Sequence, residues 1–201
     1  MYPMIANRLR TPVTRIITPI CSLLLQVGLT ANSVTVIGAV GVTTISLTLF
    51  PNGQFFLATL LISLFALSDL LDGTMARISK SVESKWGAFL DSTLDRISDA
   101  AILIGIWIYF RNSDGFEGPL LIINLILGGL IPYIRARAEA LSIKCDVGIA
   151  ERVERLVIIL VGAGLYGLGI EKALTWALYL LSILSLITVI QRVRVVYRVG
   201  R

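Results

Sequence analysis

The chain has 201 residues, of which 56% are hydrophobic and 15% charged, and its mean hydropathy is +0.84, so it carries too little polar surface to clothe a water-soluble globule. A net charge of +5 and a pI near 9.5 fit basic loops flanking membrane segments, and no nucleic-acid partner is expected. Histidine is absent, and Cys21 and Cys145 have no paired spacing, which excludes zinc and disulfide chemistry.

Residues Met1 to Arg15 place Arg8, Arg10 and Arg15 among Ile5, Leu9 and Val13, with no small-residue cleavage site after a compact apolar core. This pattern predicts a retained amphipathic helix lying in the membrane interface. The apolar stretch Ile17 to Leu29 is short and holds Pro19 and Gly28, which favours an interfacial or re-entrant segment over a span.

A bilayer core of ~30 Å needs about 20 helical residues. Six stretches qualify: Val34 to Phe50, Phe55 to Ile78, Trp86 to Phe110, Leu120 to Leu141, Leu156 to Ile170 and Ala173 to Ile190. Turn signals at Pro51-Asn52-Gly53, Asn112 to Pro119 and Gly167 to Glu171 put three loops on one side, and these hold only Arg111 and Lys172 of the 18 basic residues. The positive-inside rule then makes both termini cytoplasmic. Asn32 reads as an N-cap for the first span. The expected architecture is an all-α, multi-pass cell-membrane domain over residues 1–201, with residues 1–30 an interfacial segment and 33–195 a six-helix bundle.

The chemistry-bearing segment runs Ser68-Asp69-Leu70-Leu71-Asp72-Gly73-Thr74-Met75-Ala76-Arg77, then Gly87-Ala88-Phe89-Leu90-Asp91-Ser92-Thr93-Leu94-Asp95. Positions 69, 72, 73 and 76 share one helix face, and 87, 91 and 95 share a face of the next helix. A short turn makes the two helices antiparallel neighbours, so the acidic faces can converge, and Gly73, Ala76 and Gly87 allow close approach. Four carboxylates together near hydrocarbon demand positive charge. Oxygen ligands without His or Cys suit hard cations, Mg²⁺, Mn²⁺ or Ca²⁺, and two such ions would polarise a phosphoryl group and stabilise a leaving phosphate. Asp69, Asp72, Asp91 and Asp95 are therefore the expected metal ligands, whereas one or both of Asp99 and Arg96 are expected in a helix-to-helix ion pair.

The run DLLDGTMAR…GAFLDSTLD resembles the D-x-x-D-G-x-x-A-R…G-x-x-x-D-x-x-x-D signature of the CDP-alcohol phosphotransferases, with every signature residue present between Asp69 and Asp95. The likeness extends, through RIITPI, VGLTANSVT, LDRISDA, YIRARAEA and ERVERL, to the branch of that family that makes phosphatidylinositol phosphate in actinobacteria. It implies a six-helix membrane fold, two Mg²⁺ ions with Mn²⁺ as an alternative, Asp95 as base and metal ligand, and a homodimer. It also implies CDP-diacylglycerol contacts from Asn32, Ser33, Val34, Thr35, Gly73, Arg77 and Ser84.

Arg135 and Arg137, Arg152 and Arg155, and Arg192 and Arg194 end or open the last three spans at the cytoplasmic edge. Converging guanidinium forks beside a metal site suit an acceptor that itself carries phosphate, which favours inositol phosphate over free inositol or serine. Arg135, Arg155 and Arg192, which the resemblance also supports, are the expected acceptor-phosphate ligands, with Glu139, Glu151 and Glu154 orienting arginines. Arginines at such helix ends are also ordinary topology determinants. The expected reaction is phosphatidyl transfer from CDP-diacylglycerol to myo-inositol phosphate, with CMP as leaving group. A glycerol 3-phosphate acceptor, giving phosphatidylglycerophosphate, and a membrane cation transporter are the alternatives.

Overall fold

Apolar runs bounded by capping residues and tight turns become helices, and no strand occurs among the residues that the computed structural model describes, 18–66, 71, 74, 75, 78 and 84–200. Helix α1 covers residues 18–26, α2 Ala31–Leu49, α3 Phe55–Ala66, α4 Lys85–Phe110, α5 Glu117–Ala140, α6 Arg152–Gly167 and α7 Lys172–Val199. Leu71, Thr74, Met75 and Ile78 are helical as well. The helix expected over Met1 to Arg15 lies outside the described residues.

Two helix ends differ most from expectation. Helix α6 starts at Arg152 rather than Leu156, and α7 continues past Ile190 to Val199. Hydropathy falls at both places, but the i→i−4 backbone bonds need no apolar side chains once polar surroundings are reached. Arg152, Arg155, Arg192 and Arg194 therefore stand on regular helix. At the start of α2 the cap is Thr30, not Asn32: Thr30 is extended, with φ −96° and ψ 161°, and its Oγ1 accepts from Ser33 N at 3.2 Å. Asn32 is already inside the first turn.

Four helices close with the same pair of bonds, in which a residue with left-handed backbone caps the last turn. Gly28, Gly53 and Gly169 occupy three of these positions, and the fourth, after α5, is Ser142 with φ 59°. There Ser142 N donates to Glu139 O and Ile143 N to Ala138 O, each at 2.9 Å.

Helix neighbours run as a closed ring, α2–α4–α5–α7–α6–α3 and back to α2. One end of the ring is sealed by aromatic rings: Phe55 lies 4.7 Å from Tyr166, 5.0 Å from Tyr109 and 5.3 Å from Phe50, centroid to centroid. This brings the three predicted turns to a common end, because those residues flank them. Gly105 of α4 packs against the Ser46 carbonyl of α2, a contact that a Cβ would block, so its smallness serves the α2–α4 seam. Gly128 and Gly129 face open space instead. Buried Asn124 ties α5 to α7 by donating to Leu178 O at 3.1 Å and Ser182 Oγ at 2.9 Å.

Apolar side chains also cover the outside, with Leu64, Ile126 and Ile183 among many exposed aliphatic residues. Such a surface is stable against lipid and not against water. Among the described residues α2, α5 and α7 are long and apolar enough to cross a bilayer, and α3 is a shorter apolar helix. Helical in every regular element of its described residues, the chain is a membrane protein.

Candidate active site

The other end of the ring is polar. A small cleft opens there between α2, α3, α4 and α6, with Thr35, Asp95, Ser98, Asp99 and Arg152 among its walls and Gly38 and Ala39 leaving room on the α2 side. Asp91 and Asp95, four residues apart on α4, share a helix face. Both of Asp95's carboxylate oxygens meet guanidinium groups: Oδ1 lies 2.9 Å from Arg152 Nη2, and Oδ2 lies 3.4 Å from Arg96 Nη1. One turn further along, Asp99 Oδ1 is 3.5 Å from Arg152 Nε, and Oδ2 accepts from Arg155 Nη2 at 3.2 Å. Asp99 thus forms the expected helix-to-helix ion pair, whereas Arg96 pairs with its neighbour on its own helix.

Acceptors for the arginines come from a loop pinned to α7. Thr188 Oγ1 accepts from Ile149 N at 3.2 Å and Ala150 N at 3.0 Å, and Gly148, at φ 152°, sits where a Cβ would press on Thr188. Ala150 O in turn accepts from Arg155 Nη1 at 3.2 Å. Arg192 holds the same loop from beneath: Nε donates to Val147 O at 2.8 Å, Nη1 to Ile131 O at 2.7 Å and Nη2 to Glu151 Oε1 at 2.7 Å. This arginine is 1% exposed, so its charge is satisfied wholly by protein acceptors. Arg135, about half exposed, pairs with Glu139 at 3.0 Å and Asp146 at 3.4 Å. Glu139 and Glu151 thus orient arginines as expected.

Of the residues expected to contact the lipid nucleotide, Asn32 and Ser84 meet at Gly87, where a Cβ would lie 3.1 Å from both Asn32 Oδ1 and Ser84 Oγ. Ser84 is also the N-cap of α4, accepting from Gly87 N at 2.9 Å. Ser33 bonds Thr30, Val34 packs with Cys21 and Met75, and Thr35 faces the cleft while its hydroxyl donates to Ala31 O at 3.0 Å. Gly73 and Arg77, like Asp69 and Asp72, lie outside the described residues. Among the described residues no three potential ligands converge. Of the four expected ligands Asp91 and Asp95 are described, one helical turn apart with Asp95 in the cleft wall, and carboxylate oxygens of this kind fit a hard divalent cation.

Sequence reasoning passed over Arg152 in favour of Arg135, Arg155 and Arg192, although among the described residues Arg152 makes the shortest ion pair to Asp95. The available signal was its position three residues before Arg155, which places both on one face at the start of α6.

Comparison with known proteins agrees with this geometry. The family model "CDP-alcohol phosphatidyltransferase" matches residues 28–190. The phosphatidylinositol phosphate synthase of Streptomyces avermitilis is 42% identical over 194 residues, covering 92% of this chain and 79% of the relative. That of Mycobacterium tuberculosis is 42% identical over 196 residues, covering 94% and 88%. Crystal structures of the M. tuberculosis phosphatidylinositol phosphate synthase superpose with a TM-score of 0.85 for the complex with manganese and citrate (39% identity, 90% of this chain and 88% of that one). The complex with CDP-DAG gives 0.83 (41% identity, 91% and 94%). With its model matched across most of the sequence, the chain belongs to the CDP-alcohol phosphatidyltransferase family.

Proposed function

We propose that the protein transfers the phosphatidyl group of CDP-diacylglycerol to the hydroxyl of myo-inositol phosphate, releasing CMP and phosphatidylinositol phosphate. The observation that carries this reading is the cleft itself: Thr35 of the expected donor segment, Asp95 of the acidic face and Arg152 of the arginine group line one opening. The 42% identity to phosphatidylinositol phosphate synthases supports the acceptor.

Asp69, Asp72, Asp91 and Asp95 would hold two Mg²⁺ ions, with Mn²⁺ as a substitute. When bound, these supply charge neutralisation to the diphosphate and to departing CMP. Asn32, Ser33, Val34, Thr35, Gly73, Arg77 and Ser84 bind the cytidine diphosphate head group. Asp95 takes the proton of the inositol hydroxyl, whose oxygen forms the new bond to the phosphorus bearing diacylglycerol as the bond to the CMP oxygen breaks. Arg135 and Arg155 contribute guanidinium donors to the acceptor phosphate, Arg155 through the N–H groups that Ala150 O and Asp99 Oδ2 leave over. Arg192, grouped with them by sequence, acts through the loop it holds, since its donors are engaged by Val147, Ile131 and Glu151.

The full architecture in this reading is a single domain of six spans after an N-terminal interfacial helix, dimeric, with both termini and the cleft on the cytoplasmic side of the cell membrane. Purified protein given CDP-diacylglycerol labelled in the phosphatidyl group should form labelled phosphatidylinositol phosphate with inositol phosphate. Product formed with glycerol 3-phosphate instead would assign the acceptor differently.

A further inference from the structure

We propose that Arg152 is a positioning residue that exchanges between two carboxylates, holding Asp95 until a divalent cation claims it and then passing its charge to Asp99. The inference rests on the metal reading of Asp95 given above. Its basis is the span of one guanidinium over two acids a helical turn apart, with Nη2 2.9 Å from Asp95 Oδ1 and Nε 3.5 Å from Asp99 Oδ1. Arg152 is on α6 and both acids are on α4, so the fork reaches across the ring and its tip can swing without moving either backbone.

Charge decides the direction of the exchange. A dication bound by Asp95 would stand within a few ångströms of Arg152, and like charges at that separation in a partly buried site repel strongly. Asp99 offers the guanidinium a carboxylate oxygen already within ion-pair range, so the displaced charge stays neutralised. Arg155 fixes the receiving end, since its Nη2 binds the other Asp99 oxygen at 3.2 Å and its Nη1 binds Ala150 O at 3.2 Å. Arg96, on the solvent side, is the other cation at Asp95 among the described residues, at the longer distance of 3.4 Å. Arg152 therefore competes with the metal and also keeps the acidic face folded before metal arrives.

The test is Mn²⁺ binding to the purified full-length protein in detergent, followed by loss of the free-ion paramagnetic signal, together with melting temperature in EDTA and in Mn²⁺. Arg152→Gln should bind Mn²⁺ at least about tenfold more tightly than wild type and melt lower in EDTA, because it loses both competitor and counter-ion. A merely structural role would weaken binding instead. Asp99→Asn should weaken binding about tenfold by confining Arg152 to Asp95, and most of that loss should vanish in the Arg152→Gln/Asp99→Asn double variant. Unchanged or weaker affinity in Arg152→Gln, or a full Asp99→Asn effect in the double variant, overturns the exchange while leaving the metal site standing. Where Arg152→Gln does not fold, unaltered affinity in Asp99→Asn overturns it. Mn²⁺ binding by wild type that survives Asp95→Asn unreduced removes the metal reading of Asp95 and the exchange with it.

Discussion

Arg192 Nη2 lies 2.7 Å from Glu151 Oε1, at the last residue before α6, and this pair of a buried arginine with a half-exposed carboxylate fixes where the α6 arginines enter the cleft. Its other donors hold Val147 of the preceding loop and Ile131 of α5, so one side chain joins α5, the loop and α7. Truncating it leaves two carbonyl acceptors and a carboxylate without their donor. Arg192→Ala should lose about 3 kcal/mol of stability, seen as a lower unfolding midpoint in detergent. Arg192→Lys, which cannot make the fork, should recover only part of it.

Ser142 ends α5 with φ 59°, a conformation that glycine adopts freely and serine does not, and its side chain is exposed. Ser142→Gly should therefore stabilise the protein by roughly 0.5–1 kcal/mol without altering turnover. Thermal unfolding and initial rates of the two proteins check both halves of this expectation.

Arg135 is half exposed and oriented by Glu139 and Asp146, the position of a residue ready to receive an anion. Arg135→Ala should lower kcat/KM for the phosphorylated acceptor by about 10–100-fold, leaving KM for CDP-diacylglycerol near its wild-type value. Steady-state kinetics with each substrate varied in turn separates the two.

Much of this was legible in the sequence because hydropathy and glycine punctuation act locally. Five of the six predicted apolar stretches coincide with helices over most of their length, the described residues of the sixth, Phe55 to Ile78, are helical, and the turns at Gly53 and Gly169 have the left-handed backbone that their residue type favours. The aspartate spacing likewise puts Asp91 and Asp95 on one face, because helical periodicity alone decides it. What escaped was non-local. Nothing in the spacing of Arg152 and Arg192 says that one reaches across the ring to Asp95 while the other is sealed beneath a loop; the path of residues 141–151 decides that. The cap at Thr30 was ambiguous for a different reason, since Thr30, Asn32 and Ser33 are all capping types within four residues and backbone conformation chooses among them.

The central claim is that Asp95 performs chemistry at this cleft. The direct measurement is CMP release from CDP-diacylglycerol in the presence of inositol phosphate and Mg²⁺ by wild type and Asp95→Asn, with folding of both checked by gel filtration and helical circular dichroism. A folded Asp95→Asn protein should release CMP at least about 10³-fold more slowly, as expected when a general base that is also a metal ligand is lost. Release near the wild-type rate from the folded variant would contradict the assignment.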